Sequence, residues 1–300
     1  MNRRTIFTTA TAALLLMLLA ILPACDTGEP TSVPGMDSER DAPLKSDNDA
    51  YTQHFVRQAI DMYESDGLDA TLEYYNTQES VDGQWYLFIY NDDDIALAHA
   101  VNPALVGRPA SEAVGPNGYP AGEAIAAVAD EAGSWFTYTF PNPQTGASET
   151  KHSWTVRHDG LFFGSGWYEP GTPKYDPPAY TQDFVRQAIS LYDALGRDAA
   201  VDYYNTEESV DGQWYVFIVG EDGRTIAHFN PMFIGRDPDE RIDAVGYFYG
   251  DDLLGAEESG RWITYVLTNP EQGAERRKHT WAVLHDGLIF ASGWYEQRDT

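Results

Sequence analysis

The chain repeats itself, and that limits what it can fold into more than any single motif does. Tyr51-Thr52-Gln53-His54-Phe55-Val56-Arg57-Gln58-Ala59-Ile60 returns as Tyr180-Thr181-Gln182-Asp183-Phe184-Val185-Arg186-Gln187-Ala188-Ile189. Tyr74-Tyr75-Asn76 returns as Tyr203-Tyr204-Asn205, and Ser80-Val81-Asp82-Gly83-Gln84-Trp85-Tyr86 as Ser209-Val210-Asp211-Gly212-Gln213-Trp214-Tyr215. Further on, Asn102-Pro103, Gly107-Arg108, Lys151-His152 and Gly166-Trp167-Tyr168-Glu169 reappear as Asn230-Pro231, Gly235-Arg236, Lys278-His279 and Gly293-Trp294-Tyr295-Glu296. Each copy is long enough to bury its own core, so the expected arrangement is two tandem domains rather than a solenoid. The domains are 51–172 and 180–300. A linker at 173–179 is marked by Gly171-Thr172-Pro173 and Pro177-Pro178.

Within a copy the pattern changes from helical to extended. Phe55, Ala59 and Tyr63, flanked by Val56, Ile60 and Met62, predict a helix with Thr52 as its N-cap. Gly67 and Gly196 interrupt it, and Leu68, Leu72 and Tyr75 predict a second short helix. Strands follow at Trp85–Tyr90 and Ile95–Val101, joined by Asn91-Asp92-Asp93-Asp94 in one copy and Gly220-Glu221-Asp222-Gly223 in the other. A variable middle (109–133 and 237–260) precedes three more strands, Trp135–Phe140, His152–Arg157 and Leu161–Tyr168. Asn142-Pro143 and Asp159-Gly160 form the turns between them, and Asp-Gly is a strong hairpin signal. Consecutive hairpins behind a long N-terminal helix make an α+β fold, with an antiparallel sheet of about five strands and one sheet face free for a ligand.

Ahead of the repeat, Arg3 and Arg4 precede an apolar run from Ala10 to Leu22, shorter than the ~20 residues that span a bilayer. This reads as a secretory signal. Leu22-Pro23-Ala24-Cys25 resembles the lipobox of bacterial lipoproteins, which implies cleavage before Cys25 and lipidation of its thiol. Residues 1–25 are thus expected to be the signal peptide, and 26–50, rich in Asp, Pro, Ser and Gly, a flexible tether. Cys25 is the only cysteine, so no intrachain disulfide is available to staple the fold. With 47 acidic residues against 19 basic and a formal charge of −28, the chain repels phosphate backbones, and nucleic acid is not expected as a partner.

The combination of helix, Gly67, Tyr74-Tyr75-Asn76, Gly83-Gln84-Trp85-Tyr86, His99, Asn102-Pro103, Gly107-Arg108, Trp135, Tyr138, Asn142-Pro143, Lys151 and Gly164-Ser165-Gly166-Trp167-Tyr168 is similar to single Cache domains, the extracytoplasmic PAS-like sensor modules. The resemblance implies a pocket between the sheet and the variable middle segment. It also implies a ligand such as a small organic acid or amino-acid-like molecule, and no catalysis. Most such modules are followed by a transmembrane helix and a signalling domain, which this sequence does not show.

Several side chains are candidates for that pocket. Tyr138 and Tyr265 place a hydroxyl on an otherwise apolar strand face, which calls for either a ligand or a protein partner. Lys151 and Lys278 are scarce cations, suited either to drawing in a carboxylate or to ending a hairpin in solvent. Arg276 and Arg277 make the second copy more basic beside Lys278. His99 and His228 recur at matching places, and a core histidine with one backbone bond is the simpler role. Tyr86 and Tyr215 belong to an aromatic set of which most members should be core and one or two should wall the pocket. His158-Asp159 and His285-Asp286 flank hairpin turns with no nucleophile motif nearby, and Asp92-Asp93-Asp94 lacks the spacing of a calcium loop. No metal, cofactor or enzymatic activity is expected.

The sequence therefore predicts an exported, lipid-anchored protein facing the periplasm or the outside. It would bind a small, anionic molecule and work with a separate membrane receptor, kinase or transporter. The alternative is a structural or protein-interaction lipoprotein with vestigial pockets. The differing middle segments, Ala121-Gly122-Glu123-Ala124-Ile125 against Tyr247-Phe248-Tyr249-Gly250-Asp251, predict different specificities in the two copies.

Overall fold

The structure is a computed structural model that describes residues 42–172 and 174–297; the expected signal peptide and the expected lipidation site, Cys25, lie outside the described residues. Each copy of the repeat forms a five-stranded antiparallel sheet with helices against it. In the first module, helices α1 (Asn48–Asp66) and α2 (Leu68–Tyr75) lead into β1 (Phe88–Asn91) and β2 (Ala96–His99), then α3 (Ala121–Val128), β3 (Ser134–Pro141), β4 (Ser148–His158) and β5 (Leu161–Glu169). The second module repeats the order with α4 (Pro177–Tyr204), β6 (Phe217–Val219), β7 (Thr225–His228), α5 (Gly250–Leu254), β8 (Arg261–Thr268), β9 (Glu275–His285) and β10 (Leu288–Tyr295). The strand orders are β2-β1-β5-β4-β3 and β7-β6-β10-β9-β8. Asp159-Gly160 and Asp286-Gly287 turn with positive φ at both residues, as a tight two-residue hairpin requires. Among the described residues no helix is long and apolar enough to cross a membrane.

The first helix starts earlier than the sequence predicted, inside the stretch expected as tether, and Thr52 is not its cap. The cap is Asp47, whose carboxylate accepts from the Ala50 amide at 3.2 Å. Thr52 lies a turn inside, buried, where its hydroxyl accepts from Trp85 Nε1 at 2.9 Å. Asp176 caps α4 in the same way, with Pro177 at the first helical position, so α4 also begins inside its expected linker. Gly67 and Gly196 break the helices as expected: both hold φ above +80°, a conformation that costs other residues energy.

Strand alternation separates two faces in each sheet. In the first module, Leu87, Ile89, Trp154, Val156, Leu161 and Phe163 pack against Phe55, Val56 and Ala59 of α1. Tyr86, Phe88, Tyr90, Phe136, Tyr138, Phe162 and Tyr168 face the other way, toward α3. The repeated Tyr-Tyr-Asn ties helix to sheet. Asn76 Nδ2 donates to Leu97 O at 3.0 Å and its Oδ1 accepts from the His99 amide at 3.2 Å, and Asn205 accepts from the His228 amide at 2.9 Å.

Candidate ligand-binding site

Each module holds a cavity between the inner face of its sheet and the variable middle segment, here called the flap. In the first, Tyr86, Phe88, Tyr90, His99, Tyr138, Phe140, Lys151 and Phe162 line the sheet side, and Ala113, Ala121, Gly122 and Ile125 line the flap. Each flap folds tightly on itself at a glycine: a Cβ on Gly122 would meet Ala110 O at 2.0 Å, and one on Gly250 would meet Pro238 O at 2.3 Å. The sequence therefore brings Tyr86, His99, Tyr138 and Lys151 into one site, and Tyr215, His228, Tyr265 and Lys278 into its counterpart.

Lys151 does not end a hairpin in solvent. It faces Tyr138 on β3 and Tyr168 on β5 in register, and is only 1 % exposed. Its Nζ lies 4.1 Å from the centre of the Tyr86 ring and donates to Tyr86 Oη at 2.8 Å. Tyr86 Oη is 3.0 Å from Tyr168 Oη, which in turn donates to Pro141 O at 3.0 Å. A carbonyl can only accept, so the chain runs from the ammonium through two phenols to the backbone. Room for the lysine comes from the next strand: a Cβ on Gly166 would meet Lys151 Cε at 2.9 Å, and one on Gly293 would meet Lys278 Cε at 2.7 Å.

Lys278 is 0 % exposed and lies 3.9 Å from the centre of the Tyr215 ring. Tyr215 Oη and Tyr295 Oη are joined at 3.2 Å. An ammonium has three protons to donate, and Lys151 places one of them on Tyr86 Oη. Burial pulls both amines down, Lys151 well below the usual lysine range and Lys278 to about 7. Although the chain carries 47 acidic residues, no carboxylate lines either cavity.

The remaining predicted residues complete the walls. Tyr138 Oη pairs with Ser153 Oγ at 3.1 Å and Tyr265 Oη with Thr280 Oγ1 at 2.7 Å, so both are satisfied by side chains rather than by backbone. His99 Nδ1 accepts from the Asn102 amide at 3.1 Å and His228 Nδ1 from the Asn230 amide at 2.9 Å. Burial, then the neighbouring lysine, lowers each imidazole to about 3. Both histidines are neutral at physiological pH, with Nε2 carrying the proton. Among the described residues no group of three or more His, Cys, Asp or Glu could hold a metal ion.

The second cavity differs in charge. Arg236, Arg241, Thr225, Phe233 and Tyr249 also line it. Arg241 is buried and occupies the place of Ala113. Its Nη2 donates to Gly223 O at 2.8 Å and Thr225 Oγ1 at 3.1 Å, while Nη1 is buried without a partner. Arg108, the counterpart of Arg236, instead points outward to Glu112. Arg276 and Arg277, the basic residues that stood out in the sequence, do not line the cavity. The repeated Gly-Arg and Gly-Trp-Tyr strings could have flagged Arg236 and the two phenols Tyr168 and Tyr295. Arg241 left no such signal, having no equivalent in the first copy. The free volumes are small, about 20 Å³ in the first module and 40 Å³ in the second. On the scale where one water needs about 10–15 Å³, the flaps stand nearly closed.

Residues 56–167 match the family described as single Cache domain 2. No curated protein matches the chain. Among solved structures, the chain is similar to a methyl-accepting chemotaxis protein from Vibrio parahaemolyticus RIMD 2210633, with 21 % identity, a TM-score of 0.33, and 41 % of this chain and 87 % of that one covered. It is similar to the periplasmic sensor domain of a chemotaxis protein, with 23 % identity, a TM-score of 0.32 and coverages of 45 % and 98 %. It is also similar to a Cache chemosensory domain described for carboxylic acid recognition, with 20 % identity, a TM-score of 0.31 and coverages of 39 % and 90 %.

Proposed function

We propose that this protein, whose residues 56–167 match the single Cache domain 2 family, captures small organic anions outside the cytoplasm, one in each module. The observation that carries the reading is the lysine buried under an aromatic cage, twice, with no carboxylate in the cavity wall. An unpaired buried ammonium is costly, and a core with no other purpose would hold an apolar side chain there. A ligand carboxylate supplies the missing charge and accepts the unplaced protons. The tyrosine rings exclude water and strengthen that attraction.

The two modules differ in what they take. The first offers one cation and no second charged group, which suits a monocarboxylate. The second adds Arg236 and Arg241, with Arg241 Nη1 unpartnered, which suits a dicarboxylate held at both ends. Ligands larger than acetate require the flap to move outward. The protein is tethered through lipidated Cys25 and presents the bound state to a separate membrane receptor, kinase or transporter. A second reading, a protein-interaction module with vestigial pockets, draws on the small free volumes.

A thermal-shift screen of residues 43–300, which form one compact unit, separates the two. A ligand at about 100 times its dissociation constant stabilises by about 2.7 kcal/mol. The proposal expects hits among small mono- and dicarboxylates that Lys151→Met and Lys278→Met remove separately. Silence across the panel, or hits indifferent to both substitutions, supports the interaction reading.

A further inference from the structure

The two modules are stacked in series. The inner side of α4 packs on its own sheet through Val185 and Ala188, and its outer side receives the flap of the first module. Tyr119 on that flap donates to Gln187 O at 3.3 Å, and its ring meets the Tyr203 ring edge-on at 5.9 Å; Tyr203 Oη donates to Asn117 O at 3.1 Å. The order through the molecule is therefore α1, first sheet, first flap, α4, second sheet, second flap.

The same surfaces lie open at the two ends of this stack. Tyr247 holds the place of Tyr119 but is 44 % exposed where Tyr119 is 5 % exposed. Val245 and Phe248, in the places of Asn117 and Pro120, are 71 % and 60 % exposed, and Leu254 beside them is exposed as well. At these contact positions the uncovered flap is thus more apolar than the covered one, the reverse of what a solvent-facing end requires. At the opposite end, α1 repeats the sequence of α4. Gln58 and Tyr74, the counterparts of Gln187 and Tyr203, are exposed, and Met62, the counterpart of fully buried Leu191, is half-exposed.

We infer that the second flap docks on α1 of another copy of this chain, reproducing between molecules the contact that the first flap makes with α4 within one. Such a contact is heterologous: each molecule offers one flap and one helix, so association continues head to tail. Because both surfaces belong to a strongly acidic chain, added salt strengthens the association by screening like charges.

The test is sedimentation of residues 43–300 at rising concentration, with two variants. The flap variant carries Val245→Asp and Phe248→Asp; the helix variant carries Gln58→Glu and Tyr74→Asp. The expected result is that the parent grows beyond a dimer with concentration and salt, and that each variant alone stays monomeric. A one-to-one mixture of the variants then doubles in mass and goes no further, since one intact flap meets one intact helix. That rescue also shows that both variants are folded. A parent that stays monomeric at several hundred micromolar overturns the inference. So does association abolished by the flap variant but untouched by the helix variant, which indicates flap-to-flap pairing. Flap-dependent binding to phosphatidylglycerol vesicles without self-association overturns it in favour of a lipid-facing patch.

Discussion

Replacing Lys278 by methionine should make the unliganded protein more stable while removing anion binding from the second module. Burial lowers the Lys278 amine from its usual 10.5 to about 7. At about 1.4 kcal/mol for each pH unit, the buried charge costs about 4 kcal/mol near pH 7. Its position 3.9 Å above the Tyr215 ring offsets roughly 1–2 kcal/mol of that. Methionine keeps the length of the stem and carries no charge, so the net gain is about 2–3 kcal/mol, or roughly 10 °C in the melting of that module. The gain depends on pH in a defined sense. Below pH 7 the lysine is protonated both folded and unfolded, and the cost is fully present. Between pH 7 and 10.5 the unfolded chain still binds a proton that the folded chain has released, so the parent's stability rises relative to the variant by up to about 1.4 kcal/mol per pH unit. Melting curves of parent and variant from pH 6 to 10 read this directly. A variant no more stable than the parent, or a difference constant across that range, refutes the claim that Lys278 is buried without a neighbouring carboxylate.

Other consequences follow from the same geometry. A carboxylate bound on Lys278 restores its proton, so binding to the second module should take up protons near pH 8 and weaken by up to tenfold per pH unit above 7; titration calorimetry in buffers of different ionisation enthalpy measures both. Gly166→Ala should cost about 1–3 kcal/mol and abolish ligand binding by the first module, because the added methyl would lie 2.5 Å from His152 O and 2.9 Å from Lys151 Cε. Denaturant melts with and without ligand check this, and a neutral outcome would show that the lysine does not lie across β5. Arg241→Ala should weaken dicarboxylates in the second module at least tenfold while changing monocarboxylates by less than threefold, measured as dissociation constants. Thr52→Val should destabilise the first module by about 1 kcal/mol through the lost bond from Trp85 Nε1, with no change in ligand affinity.

The repeat and the alternation of its strands carried the fold. The turns at Asp159-Gly160 and Asp286-Gly287 and the helix breaks at Gly67 and Gly196 were legible because each rests on a local backbone requirement, whereas the flap over one sheet face was implied only by the resemblance to Cache domains. The start of α1 was not. Thr52 and Asp47 are both competent caps, and only the tertiary bond from Trp85 shows that Thr52 is occupied elsewhere. Lys151 and Lys278 could be named from their scarcity, but whether they faced solvent or the core was undecided, since a strand-end position in a sequence does not reveal the register with Tyr168 and Tyr295. The glycines that clear their path, Gly166 and Gly293, were visible only as motif letters. Arg241 was illegible because the repeat, which exposed everything shared, says nothing about a residue present in one copy alone.

The most direct test of the central claim is calorimetric titration of residues 43–300 with a series of small mono- and dicarboxylates, repeated on Lys151→Met, Lys278→Met and the double variant. Two buried lysines with no carboxylate in the cavity wall predict saturable binding, with each single substitution removing one class of site and the double variant removing both. Saturable binding that survives in the double variant, or no binding by the parent to any acid in the series, would contradict it.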